Sequence, residues 1–197
     1  MKSCTVLPAG YRPILSLDLQ KNKRQMLIVN LIGTVIAIVM LALALPFVPF
    51  STLFDMSKGL GMYALRFGVL LVGMVAYIIL HELVHGIFMR ALSGVKVHYG
   101  FTLMYAYAGS DAYFGKGSYL LIALAPVVIW GAVLAVINIL VPLSWFWVVY
   151  LIQLVNLSGA GGDIYVTFKF ARLPRDILVR DTGVAMTVFA PSEGNEE

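Results

Sequence analysis

The stretch FGVLLVGMVAYIILHELVHGIFMRAL, residues 67–92, decides how the chain is read. It is long enough to cross a bilayer, which takes about 20 apolar residues, yet it carries His81, Glu82, His85 and Arg90. A charge at mid-bilayer costs on the order of 2.5–3.5 kcal/mol on insertion scales, so ionisable groups inside a span point to function. The chain has three histidines, and two of them sit in this motif. Glu82 is the sole glutamate before position 193.

On a helix, residues four apart share a face, offset by one turn. His81 and His85 can therefore present both imidazoles to one metal ion, and Glu82 stands where a carboxylate serves as general base. Two neutral imidazoles suit zinc, and a catalytic zinc site needs a third protein ligand and one open position. The alternative is a metal-free pair of histidines with Glu82 salt-bridged to Arg90 or Arg66. Glu82 and Arg90 are more than two turns apart, and burying three ionisable groups without a cation is expensive.

Outward from the motif, composition sets the class. The chain has 197 residues, 60% of them hydrophobic and 12% charged, with mean hydropathy +0.90. Soluble domains carry roughly 25% charged residues, so this is an integral membrane protein. The predicted fold class is an all-α membrane protein: a bundle of about four transmembrane helices, with a short β-hairpin or extended loop between the second and third. Four apolar runs are long enough to span, at 26–50, 62–92, 119–141 and 145–170. A cleaved signal peptide competes for the first, but its apolar part is too long for a typical h-region. The expected organisation is an N-terminal cytoplasmic arm over 1–25, one membrane-embedded domain over 26–190, and a disordered acidic tail over 191–197. The single cysteine, Cys4, excludes an intramolecular disulfide and leaves any metal to His and carboxylate.

Charge sets the orientation. Lys21, Lys23 and Arg24 precede the first run; Lys58 and Arg66 are the only cations between the first and second. Arg90, Lys96 and Lys116 lie between the second and third, none lies between the third and fourth, and Lys169, Arg172, Arg175 and Arg180 end or follow the fourth. The positive-inside rule puts both termini in the cytoplasm of a multi-pass cell-membrane protein. The net charge of +4 is read through this distribution; the expected partners are the lipid bilayer and a peptide or membrane-protein substrate, with no nucleic acid. Between the second and third runs, residues 95–107 alternate apolar with polar or small side chains. That period of two predicts a strand, or a hairpin folded near Gly100.

Depth selects a third ligand. His81 lies 19 residues into its run and Asp163 lies 18 into the fourth, each roughly 27–29 Å along a helix. Asp163 follows Gly159-Ala160-Gly161-Gly162, which loosens helix, and irregular backbone at membrane depth is tolerated where it is buried in protein or lines a polar cavity. Asp163 is the third metal candidate. His98, Asp111 and Asp181 are the alternatives, and Asp163 could instead pair with Lys169 or Arg172. Asn156, seven residues earlier on about the same face, is a candidate substrate contact or an interhelical amide. Pro126 and Gly131 in the third run read as a kink and a close-packing site.

Taken in order, His81-Glu82-Leu83-Val84-His85-Gly86, Ala108-Gly109-Ser110-Asp111-Ala112-Tyr113-Phe114, Ala125-Pro126 and Asn156 to Asp163 resemble the membrane zincin peptidase family, once known as a domain of unknown function. The resemblance covers roughly residues 69–188. More distantly the chain is similar to the site-2 proteases, whose two motif histidines and later-span Asp hold zinc. That implies Zn2+ on His81, His85 and Asp163, with Glu82 catalytic, in a membrane-embedded zinc metallopeptidase. Here Asp163 follows its glycines, whereas the site-2 proteases carry Asp before Gly, and there is no inserted PDZ-like domain. The competing function is a metal-binding membrane protein without proteolysis, serving transport, sensing or assembly.

Overall fold

A computed structural model describes residues 3–18, 21–102 and 105–192. Four helical stretches are long and apolar enough to cross a membrane: Lys23–Ala44, Leu60–Ser93, Lys116–Leu140 and Leu143–Ala171. They fall on the four runs expected. The first three are the helices α1 (Lys23–Ala44), α2 (Leu60–Ser93) and α3 (Lys116–Leu140). The fourth is interrupted, with α4 over Phe146–Gly159 and α5 over Gly161–Ala171, meeting at Ala160. The break lies in the glycine run, where helix propensity is lowest.

The all-α expectation is corrected. Seven strands are present among the described residues: β1 (Ser3–Cys4), β2 (Tyr11–Leu17), β3 (Val97–Phe101), β4 (Ala106–Ser110), β5 (Tyr113–Gly115), β6 (Leu178–Asp181) and β7 (Met186–Pro191). Five form an antiparallel sheet in the order β1-β5-β6-β7-β2, and β3 pairs with β4. Residues 11–17, placed by the sequence reading in an N-terminal arm, are thus an edge strand paired with 186–191. Arg12 and Pro13 hide this strand in the sequence. Pro13 has no N–H to give a ladder and is tolerated at an edge or bulge, and the register slips between Pro13 and Leu15. The β3–β4 pairing was expected, but Gly100 sits within the ladder opposite Tyr107, and Thr102 N–H donates to the Tyr105 carbonyl, so the strands do not fold back at Gly100. Leu103 and Met104, and the acidic tail beyond Ser192, lie outside the described residues.

The chain forms two compact units. One comprises Val29–His81 and Pro126–Gly162 and is wholly helical. Its core gathers Leu70, Tyr77, Leu134, Trp147, Val148 and Ile152. Helix α1 closes on the end of α4 because Gly33 leaves room; a Cβ there would stand 2.5 Å from the Ser158 carbonyl oxygen. The buried Arg66 donates to the carbonyls of Thr52, Asp55 and Ser144, tying the 3-10 turn at Phe50–Phe54 to the one at Leu143–Trp145.

The other unit comprises Met1–Ile28, Glu82–Ala125 and Asp163–Glu197. Its core combines the sheet residues Leu17, Phe114, Val179 and Val188 with Met89, Ile122, Val166 and Phe170 from the helices. The β6–β7 turn passes through Gly183 at φ +81°, a left-handed conformation that glycine adopts without a Cβ clash.

Candidate metal centre

His81 and His85 lie one turn apart on the unbroken helix α2, and both are buried. Asp163 stands in the first turn of α5, where the break after α4 starts a new helix. A carboxylate there is favoured by the positive end of the helix dipole. His81, His85 and Asp163 each offer one ligand atom, and these atoms lie within 4.8 Å of one another. The structure thus brings together the three side chains that spacing, depth and the glycine run singled out.

One pair of the cluster has a separation that bears on the ion. His85 Nε2 is 3.4 Å from Asp163 Oδ1. A charge-assisted N–H···O bond runs at about 2.7–2.9 Å, so this pair is longer than a committed hydrogen bond. Two atoms each bound to one tetrahedral zinc at ~2.0–2.1 Å stand roughly 3.3 Å apart. The separation suits a shared ion.

Tautomers follow from the outer hydrogen bonds. His85 Nδ1 is 2.9 Å from the Ile122 carbonyl oxygen, which can only accept, so Nδ1 carries the proton. With that proton on Nδ1, a neutral His85 keeps its lone pair on Nε2, the form a metal binds. For His81 the chain of bonds is longer. Its Nδ1 is 2.7 Å from the Tyr77 hydroxyl, which donates at 2.9 Å to Asn156 Oδ1. The Asn156 amide is oriented by Nδ2, which donates to the Val127 carbonyl and to Gln153 Oε1. Because Asn156 Oδ1 accepts only, the Tyr77 proton goes there, and the Tyr77 oxygen accepts from His81 Nδ1–H. His81 Nε2 then also carries a lone pair.

The other candidates are occupied elsewhere. His98 is exposed on β3. Asp111 accepts from Arg180 at 2.6 Å, and that bond and the charge of Arg180 hold its carboxyl below the usual range. Asp181 is buried, which pushes its carboxyl up, while Tyr119 at 2.6 Å and the Gly183 N–H at 2.8 Å pull the other way. Asn156, considered as a substrate contact, is fully buried with its amide engaged as described. Glu82 is half-buried in the same turn of α2 as the histidines. Gly86, next to His85, lies under the Tyr99 hydroxyl of β3, where a Cβ would be 2.0 Å from that oxygen. Tyr77 and the Ile122 carbonyl escaped the sequence reading. The signal for Tyr77 was a hydroxyl one turn before His81; for Ile122 it was the proline four residues on.

A family described as "putative zincin peptidase" matches residues 74–178, more than half of the chain. No curated protein and no solved structure matches it.

Proposed function

The chain belongs to this zincin peptidase family, and from that premise we propose that it is a membrane-embedded zinc metallopeptidase with Glu82 as general base. The observation that carries the reading is the convergence of His81, His85 and Asp163 on one ion-sized cluster. When bound, zinc would supply Lewis acidity, polarising a scissile carbonyl and acidifying water. His81 and His85 would hold it through Nε2 and Asp163 through a carboxylate oxygen, a donor set of the two-imidazole, one-carboxylate kind found in catalytic sites. Glu82 takes a proton from the attacking water and passes it to the leaving amine, which restores the carboxylate. Tyr77, with Asn156 behind it, keeps the His81 ring turned with its lone pair toward the cluster, so Asn156 supports a ligand and does not touch substrate.

The four apolar helices support a multi-pass membrane protein, and the cation distribution supports cytoplasmic termini. The β3–β4 pair offers a docking mode. Among the described residues β3 has one neighbour, β4, so its outer edge can take an unwound peptide as a further strand. The distant likeness to site-2 proteases favours a membrane-protein substrate.

Glu82→Gln tests the reading against a non-proteolytic metal protein. The expected result is stoichiometric zinc in purified protein, with peptide hydrolysis lower by about 10²–10⁴-fold. His81→Ala and Asp163→Ala should both lose zinc. Wild-type protein without zinc would end the reading, and full zinc affinity in Asp163→Ala would remove the third ligand.

A further inference from the structure

Helix α3 carries a proline in its interior, Pro126. In a regular α-helix each N–H bonds to the carbonyl four residues before it. Proline has no N–H and its ring presses on that same carbonyl, so Pro126 withholds the donor that Ile122 would otherwise receive. The Ile122 carbonyl oxygen is the atom that meets His85 Nδ1, at 2.9 Å. Ile122 and His85 are both buried, so the proline trades a helical bond for one that no water can replace.

We propose that Pro126 is a positioning residue for the metal centre, leaving the Ile122 carbonyl to hold His85 in the Nδ1–H tautomer with Nε2 free for the ion. The inference rests on the zinc reading above and extends it to a residue that touches neither metal nor substrate. With an ordinary residue at 126, the restored N–H claims the Ile122 oxygen in the α-helical direction. The imidazole then loses its fixed acceptor, and the ring is free to place its proton on Nε2, which blocks coordination. A backbone carbonyl is one of the usual orienting partners of a metal-binding histidine, and loss of such a partner lowers metal affinity by about 10–100-fold.

The test compares Pro126→Ala with a variant carrying lactic acid at 126, whose ester oxygen, like proline, offers no N–H. Cobalt(II) affinity in the detergent-purified protein is read from its d–d absorption bands, and the His85 tautomer of the metal-free protein from ¹⁵N shifts. Pro126→Ala should bind cobalt at least 10-fold more weakly than wild type and show His85 no longer held as Nδ1–H. The lactic acid variant should restore both. Equal weakening in the two variants would assign the effect to the proline ring and overturn the inference. So would unchanged affinity and tautomer in Pro126→Ala. If wild type takes up cobalt, those failures leave the zinc reading standing; if it takes up none, both fall.

Discussion

At the scale of single residues, the candidate metal centre is built on groups behind its three candidate ligands. Tyr77 is the clearest: its oxygen accepts from His81 while its proton goes to Asn156. Tyr77→Phe keeps the ring and removes the oxygen, leaving His81 Nδ1 without its acceptor and the buried Asn156 Oδ1 without its donor. Zinc affinity should fall by about 10–100-fold, and stability by about 1–3 kcal/mol for the orphaned polar atom. Chelator competition and thermal unfolding in detergent measure the two effects. An unchanged zinc affinity would show that the His81 ring is oriented without the hydroxyl. The histidines and Asp163 were legible because ionisable residues are rare in apolar spans and their spacing converts directly to geometry. Tyr77 was not singled out: it is one of ten tyrosines, and its place one turn before His81 was the sole mark of a hydroxyl that faces a histidine. A backbone carbonyl such as that of Ile122 leaves no mark of its own.

Among the elements, β3 has a testable edge. Thr102 N–H bonds the Tyr105 carbonyl, and Gly100 pairs with Tyr107 and His98 with Gly109. In an antiparallel ladder bonded and non-bonded pairs alternate, so Val97, Tyr99 and Phe101 turn their N–H and C=O groups away from β4. A substrate strand would read that side. Phe101→Pro removes one outward donor and spares the ladder to β4. Each such bond is worth about 1 kcal/mol, so kcat/KM for peptide cleavage should drop roughly five-fold with zinc content unchanged. Undiminished cleavage would dismiss strand addition. The Arg66 clamp is a second element-level device, because three carbonyls from two short turns share one guanidinium. Arg66→Ala should cost about 3 kcal/mol or more, given 1.5–3 kcal/mol for a hydrogen bond to a charged group. It should also open residues 50–59 to proteolysis; a wild-type digestion pattern would mean that the turns hold without the clamp. The hairpin was legible through its alternation, whereas β2 was not. Its partner β7 lies some 170 positions away in sequence, and a short edge strand interrupted by Pro13 has neither period nor hydropathy to announce it.

For the whole molecule, the sheet constrains how the chain threads a bilayer. Strand β2 precedes the first candidate span, β5 lies between the second and third, and β6 and β7 follow the fourth, yet all four belong to one hydrogen-bonded sheet. Segments in one sheet share one side of a membrane, so an even number of crossings must separate them. Two helical stretches lie between β2 and β5, and two between β5 and β6. The turns at Phe50–Phe54 and Leu143–Trp145, joined through Arg66, fall in the remaining two connections. All but two of the 14 Lys and Arg, the exceptions being Lys58 and Arg66, lie on the sheet-bearing set of segments or at the ends of the spans facing it. Pairing and charge therefore agree from independent grounds: both gather the sheet and the cation-rich span ends on one side, the side that the positive-inside rule expects to be the cytoplasm. With Cys4→Ser as background, Lys58→Cys should react with a membrane-impermeant maleimide on intact cells. Lys96→Cys, as exposed in the fold as Lys58, should react only after permeabilisation. Labelling of Lys96→Cys in intact cells would invert the orientation and put the peptidase outside. Labelling of both positions from the same side would mean that α2, which alone separates 58 from 96, does not cross, and would break the four-span count.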